Sequence, residues 1–113
     1  MPHCVIEYAK DIETCISPVE LMSAVVTGAQ QSKLFEADHI KTRTLAYDNY
    51  LVGLSEKYFI HVSLKILSGR TITQKAMLSD IVLKQLNACA LSNVAITVEI
   101  IDMERDCYAK AVS

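Results

Sequence analysis

The sequence is poor in the residues that form turns and phosphate-binding loops. It has only 3 glycines and 2 prolines among 113 residues, and tryptophan is absent. Neither a glycine-rich phosphate loop nor the G-x-G-x-x-G fingerprint of dinucleotide-binding proteins is present. We therefore expect no cofactor and short connections between regular elements.

A strong charge of either sign is absent too. The 11 lysines and arginines and the 13 aspartates and glutamates give a formal net charge of -2, with a pI near 5.9. Nucleic acids and anionic membranes attract concentrated positive charge, and no basic cluster occurs along the chain. We therefore expect neither as a partner.

No segment is apolar enough to cross a membrane. The longest stretch without a charged residue covers residues 85–98, whereas a membrane-spanning helix needs roughly 20 apolar residues. The start of the chain lacks the basic residues and the apolar core of a secretory signal. These features predict a cytoplasmic protein.

Metal and redox motifs are also missing. No two of the four cysteines have the C-x-x-C spacing of zinc and redox sites. The three histidines have no spacing with aspartate or glutamate that is typical of a metal site, and we interpret them as structural. The sequence predicts plain thiols, buried or half-buried, and no bound metal.

Apolar residues are abundant by comparison. They make up 51% of the chain against 21% charged residues, and the mean hydropathy is +0.26. A domain of this length buries roughly two-thirds of the surface of its unfolded chain, so it can form a core without disulfides. Because a small monomer has proportionally more surface to cover with polar groups, the apolar excess predicts either a surface with exposed apolar patches or assembly.

The hydrophobic periodicity predicts a strand, a helix and a strand in the first half. Residues 3–8 alternate in the manner of a strand. Ser17, Pro18 and Glu20 supply an N-cap, a first-turn proline and a capping-box partner, so a helix begins here. Its apolar stripe fades near residue 33, and the β-branched segment 40–47 is the second strand.

The second half repeats this order. We predict a strand over 58–67, a helix over 71–91 that begins with a Thr71–Gln74 capping box, and a strand over 94–103. The predicted fold class is α+β, with one domain over residues 1–113. Its two β-α-β repeats, about 2–48 and 57–104, form a four-stranded mixed sheet with two helices on one face.

The strand over 58–67 bears on oligomerisation. It is interpreted as apolar on both faces, with Phe59 and Leu67 on the face that two helices cannot cover. That face is expected to be buried between subunits.

Pro2 is the first candidate for chemistry. Removal of Met1 would leave a secondary amine, and burial among apolar side chains or cations would lower its pKa from about 8 toward neutrality. Such a nitrogen could act as a general base. Alternatively, Met1-Pro2 is an ordinary start; if Met1 is retained, the Pro2 nitrogen is an amide without an available lone pair.

Three cations are candidates for binding a carboxylate. Arg70 lies in the turn before the second helix, where backbone amides and the helix dipole favour an anion, although it could equally be an exposed loop arginine. Lys41 and Arg43 stand two residues apart on one strand and therefore share a face of the sheet. They repel each other and need an anion or solvent; spacing alone favours a solvated edge.

Several segments together resemble the 5-carboxymethyl-2-hydroxymuconate isomerase family of the tautomerase superfamily. They are Met1-Pro2-His3 before a strand, the H-V-x-L-K-I-x-x-G-R pattern at 61–70, Val98-Glu99-Ile100, and Tyr108 with Lys110. The resemblance covers nearly the whole chain. It implies a homotrimer with one cofactor-free site per subunit near the interfaces, in which an amino-terminal proline moves a proton in an enolic diacid.

The resemblance also implies roles for single residues. Pro2 would be the general base and then the acid, and Arg70 would match the family's arginine after the glycine. The family's I-R-x-R segment falls on residues 40–43, where Lys41 replaces the first arginine. Because lysine lacks the planar fork that binds a carboxylate through two parallel hydrogen bonds, Arg43 is a candidate to replace it.

The leading hypothesis is a homotrimeric isomerase or tautomerase that acts on a small unsaturated 2-hydroxy or 2-oxo diacid, in the breakdown of aromatic compounds. The alternative is a non-catalytic trimer that binds small carboxylates or a protein partner. Retention of Met1 and the presence of Lys41 would favour the alternative.

Overall fold

Four strands form one mixed sheet in the computed structural model, which describes all 113 residues. They are β1 (His3–Ala9), β2 (Lys41–Tyr47), β3 (Tyr58–Leu67) and β4 (Val94–Met103), in the spatial order β2-β1-β3-β4. β1 pairs with β2 and β3 pairs with β4 in parallel, whereas β1 and β3 are antiparallel. The predicted sheet is confirmed.

The two helices begin where the capping boxes predict. α1 (Pro18–Gln31) is capped by Ser17 and α2 (Ile72–Asn87) by Thr71, and both boxes are complete. α2 ends at Asn87, so the prediction that it continues to residue 91 was wrong. Ala90 has a φ of 55°, in the left-handed region that a right-handed helix cannot contain.

The core lies between the helices and one face of the sheet. Sixteen apolar residues are buried there. In β1 and β3 they occur at every second position and in register, which places them on one face; they are Cys4, Ile6, Tyr8, Ile60, Val62 and Leu64. Because β1, β3 and β4 contribute to this core and β2 joins the same sheet through β1, we propose that the chain is a single domain.

The other face of the sheet, called the open face here, carries no helix. β3 contributes five side chains to it: Phe59, His61, Ser63, Lys65 and Leu67. Three of these five are polar, so the expectation that β3 is apolar on both faces holds only at its ends.

Much of the exposed apolar surface lies elsewhere. Leu51 and Leu54, in the loop between β2 and β3, are fully exposed.

No helix in the structure is both long enough and apolar enough to span a membrane.

Candidate active site at the amino terminus

The amino terminus is fixed at one end of the sheet, immediately before β1. The Pro2 side chain is fully buried, and the Pro2 carbonyl accepts a hydrogen bond of 3.0 Å from the backbone N–H of Lys41. This bond continues the pairing of β1 with β2. Met1 is half-buried and borders a cavity of about 280 Å³.

The segment that follows α1 and the turn that precedes α2 form the walls of this cavity. Its lining consists of Met1, Lys33, Leu34, Phe35, Glu36, His39 and Arg70. Sequence reasoning identified Arg70 but interpreted His39 as structural. The spacing of His39 in the sequence does not indicate a site. His39 and Met1 line the same cavity only because the chain after α1 folds back toward the amino terminus.

Arg70 is held in place by two contacts with this segment. Its Nη2 donates a hydrogen bond of 2.6 Å to the Leu34 carbonyl, and its guanidinium carbon lies 5.8 Å from the centroid of the Phe35 ring. Gly69 has a φ of 122°, a conformation that favours glycine and turns the chain from β3 toward α2. Arg70 makes no other hydrogen bond or ion pair, so most of its N–H donors remain available to an anion.

The amino terminus lies in a strongly positive environment. The pKa of the Met1 amino group falls below its ordinary value of 8.0, first because of burial and then because of four positive charges. These belong to Lys110, Arg105, Arg70 and Lys41. The same charges that lower the pKa of an amine here would attract a carboxylate.

The carboxyl-terminal segment folds back onto this end of the sheet at two points. Arg105 Nε donates a hydrogen bond of 2.5 Å to the Ser68 carbonyl. The Tyr108 hydroxyl is 2.9 Å from His3 Nε2. Arg105 is thus a site residue that sequence reasoning missed, and no signal could have found it, because it lies 35 positions after Arg70.

Lys41 and Arg43 are placed on the open face. The Lys41 Cα pairs with that of His3, and Arg43 Nη1 donates a hydrogen bond of 3.2 Å to His3 Nδ1. Of the four candidate residues, only Arg70 lines the cavity, and Pro2 follows directly on Met1, which also lines it. Lys41 affects the terminal amine only through its charge, and Arg43 is hydrogen-bonded to His3.

The remaining cysteines and histidines do not form a further site. No group of three or more histidine, cysteine, aspartate or glutamate side chains could hold a metal ion. All four cysteines are free thiols; Cys4 is buried and Cys89 half-buried, but Cys15 and Cys107 are exposed, contrary to expectation. Burial raises the pKa of Cys4 to about 11, which makes it a poor nucleophile.

Solved structures of similar fold cover nearly all of the chain. A 5-carboxymethyl-2-hydroxymuconate isomerase from Deinococcus radiodurans R1 is 20% identical, with a TM-score of 0.80 over 99% of this chain and 90% of that one. A macrophage migration inhibitory factor-like protein from Entamoeba histolytica is 18% identical, with a TM-score of 0.73 over 99% and 96%. A fused 4-OT symmetric trimer is 18% identical, with a TM-score of 0.68 over 97% and 90%. The protein thus has the tautomerase fold.

Family membership follows from the sequence match. Among curated proteins, no sequence matches the chain significantly. A family model for 5-carboxymethyl-2-hydroxymuconate isomerase, however, matches residues 2–112, all but the two terminal residues. The expected resemblance is confirmed, and the chain belongs to the 5-carboxymethyl-2-hydroxymuconate isomerase family.

Proposed function

We propose that this protein is a cofactor-free isomerase that moves a proton within a small unsaturated 2-hydroxy or 2-oxo diacid. Family membership supports an enzyme of the isomerase and tautomerase type. The observation that carries the finer proposal is the cavity at the amino terminus, which Met1 and Arg70 both line and where burial and positive charges lower the pKa of the Met1 amine.

Pro2 is the proposed base. After removal of Met1, its nitrogen is a secondary amine at the fully buried start of β1. The neutral nitrogen takes a proton from the substrate, and the resulting negative charge spreads over the conjugated oxygen and carbon atoms. The protonated nitrogen then returns the proton to a different atom of the same substrate, so no external acid or base is consumed.

Arg70 is the proposed carboxylate-binding residue. Its contacts with Leu34 and Phe35 fix the guanidinium before substrate arrives, so little side-chain entropy is lost on binding. Lys41 adds positive charge at the same end of the sheet. Arg43, the third candidate, would have to leave His3 to reach a substrate.

The first experiment tests the base. Correctly processed Pro2→Ala is expected to lose nearly all ketonisation of a dienol diacid, followed by ultraviolet absorbance, because a primary amine on a more flexible backbone replaces the fixed secondary amine. Pro18→Ala changes the only other proline and should retain activity. Full activity of Pro2→Ala would refute the role of Pro2. Intact-mass measurement must accompany both variants to establish whether Met1 is removed.

The second experiment tests Arg70. Arg70→Ala should raise KM for diacids by about tenfold, since a charge-assisted hydrogen bond to the carboxylate is lost. Lys84→Ala removes a positive charge from the outer surface of α2 and should leave KM unchanged. An unchanged KM in Arg70→Ala would show that this arginine does not bind the substrate.

A second candidate function is a non-catalytic trimer that binds small carboxylates or a protein partner. The observation in its favour is that Met1 itself borders the cavity beside Arg70. Protein from the native host that retains Met1 throughout, binds a diacid and does not convert it would favour this function.

A further inference from the structure

His39 differs from the other two histidines in that the fold does not use its imidazole. Both ring nitrogens of His3 and of His61 have hydrogen-bond partners within the chain. The ring of His39 makes no hydrogen bond and no ion pair, and the residue is exposed. His39 is also the one histidine that borders the cavity at the amino terminus. Its ring nitrogens are therefore free to contact a ligand there.

The pairing of β1 with β2 places His39 beside the amino terminus. His3 and Lys41 are register partners, and the backbone N–H of Lys41 donates a hydrogen bond of 3.0 Å to the Pro2 carbonyl. His39 lies two residues before Lys41, just as Met1 lies two residues before His3. Both residues therefore reach the same end of the sheet, where they line one cavity.

The backbone around His39 is fixed before any ligand binds. A 3₁₀ turn over Ala37–His39 is closed by a hydrogen bond of 2.9 Å from the His39 N–H to the Glu36 carbonyl. Upstream in the same segment, the Leu34 carbonyl accepts the hydrogen bond from Arg70. Because one short segment links them, the imidazole and the guanidinium are held at the same cavity with little backbone entropy left to lose.

The proposed reaction has a need that Pro2 and Arg70 do not meet. When the Pro2 nitrogen takes a proton from the substrate, negative charge builds up on the oxygen at C2, next to the carboxylate that Arg70 binds. A donor aimed at an oxygen on which charge develops stabilises the transition state more than the bound substrate. An imidazole carries at least one N–H in either of its protonation states, so His39 can supply this donor.

We propose that His39 is a further catalytic residue, which donates a hydrogen bond to the enolate oxygen of the substrate. This inference rests on the isomerase function proposed above. His39 keeps its own proton throughout, because the proton that leaves the substrate goes to the Pro2 nitrogen and returns from it to a different atom. His39 lies outside every segment that carries the family resemblance, so the resemblance assigns it no role.

Steady-state kinetics of the full-length, processed protein test this role. His39→Leu should lower kcat for ketonisation of a dienol diacid by about tenfold to a hundredfold, the range for a hydrogen bond to a charged oxygen, with little change in KM. His39→Gln keeps an N–H donor and should recover much of the lost kcat. Ala37→Leu introduces the same apolar side chain at an exposed position of the same turn that does not border the cavity, and it should match the wild type.

Oxalate binding tests the same hydrogen bond without turnover. Oxalate carries a second charged oxygen next to a carboxylate, as the enolate of a 2-oxo acid does. Calorimetric titration should show about tenfold weaker binding to His39→Leu, and nearly wild-type binding to His39→Gln and Ala37→Leu. An inactive wild type that shows this pattern would refute the proposed isomerase but support the hydrogen bond from His39, so the two failures are distinguishable.

Three results would overturn the proposal. The first is wild-type kcat and wild-type oxalate affinity in His39→Leu. The second is an equal loss in His39→Gln and His39→Leu, because the loss of a donor alone would not explain it. The third is a Tm of His39→Leu well below that of Ala37→Leu, which would assign His39 a structural role.

Discussion

At the scale of single residues, the pKa of the terminal amine depends on charged side chains from several distant segments of the chain. Arg70 comes from the turn before α2, Lys41 from β2, and Arg105 and Lys110 from the carboxyl-terminal segment. Each adds positive charge near an amine that is already partly buried. Their shared effect is to favour the neutral amine, which is the form that can accept a proton.

Lys110 allows this electrostatic effect to be tested. Among the charges that lower the pKa of the amino terminus, that of Lys110 ranks first, after burial. In the processed enzyme, Lys110→Met should therefore raise the pKa of the Pro2 amine, because a neighbouring positive charge disfavours the protonated form and is now gone. The acidic limb of the kcat/KM profile should therefore shift to higher pH than in the wild-type enzyme.

Lys84→Met is the matched control for this prediction, because Lys84 is exposed and pairs with Asp80 on α2. Its pH profile should coincide with that of the wild type. A limb that stays in place in Lys110→Met, or that moves to lower pH, would contradict the electrostatic account of the amino terminus.

At the scale of elements, the contact between the two helices is the most constrained packing feature. A Cβ atom at Gly28 would lie 2.9 Å from the Cα of Val82. The obstacle is backbone, so it cannot be relieved by a side-chain rotation. Gly28 thus lets α1 and α2 approach closely over the helix face of the sheet.

Gly28→Ala should consequently destabilise the protein. Overpacking costs about 1–3 kcal/mol, whereas replacing a helical glycine by alanine gains only about 1 kcal/mol. We expect a Tm lower by several degrees in thermal unfolding followed by circular dichroism. Gly53→Ala places a methyl group where no atom lies within 4 Å and should have almost no effect. Wild-type stability of Gly28→Ala would show that the helices separate easily.

The sequence predicted the helix starts correctly, because hydrogen bonds between residues close in sequence define them. Both capping boxes bond side chains to backbone within four residues, so Ser17 and Thr71 mark the helix starts in sequence as they do in the structure. The end of α2 carries no such signal. Cys89 and Leu91 continue the apolar pattern, but Ala90 turns into the left-handed region and ends it.

At the scale of the whole molecule, exposed apolar surface favours assembly. Leu51 and Leu54 are fully exposed in the single chain, and Leu45, Tyr47 and Ile101 are exposed on the open face. The homotrimer predicted from the sequence would bury this surface, and with it the apolar excess of the composition, between subunits.

Light scattering tests this proposal directly. The expected mass is three times that of the 12.5 kDa chain at micromolar concentration. Combined Leu51→Asp and Leu54→Asp should lower this mass without unfolding the subunit, since both side chains lack contacts within it. Asn49→Asp adds a charge to the same loop without removing an apolar side chain and should leave the trimer intact. A monomeric wild type would show that the apolar excess is not buried by assembly.

The sequence by itself determined the order of the elements, the helix starts, the mixed sheet and the candidates Pro2 and Arg70. The elements and Arg70 follow from periodicity, capping and turn residues, which act over a few positions, whereas Pro2 is a candidate because it follows Met1 at the start of the first strand. Only the tertiary structure decided that His39 and Arg105 lie near the amino terminus, and that Arg43 bonds His3 on the open face. Coulomb interactions and cavities depend on distances between segments far apart in the chain, and those distances exist only once the sheet and helices have packed.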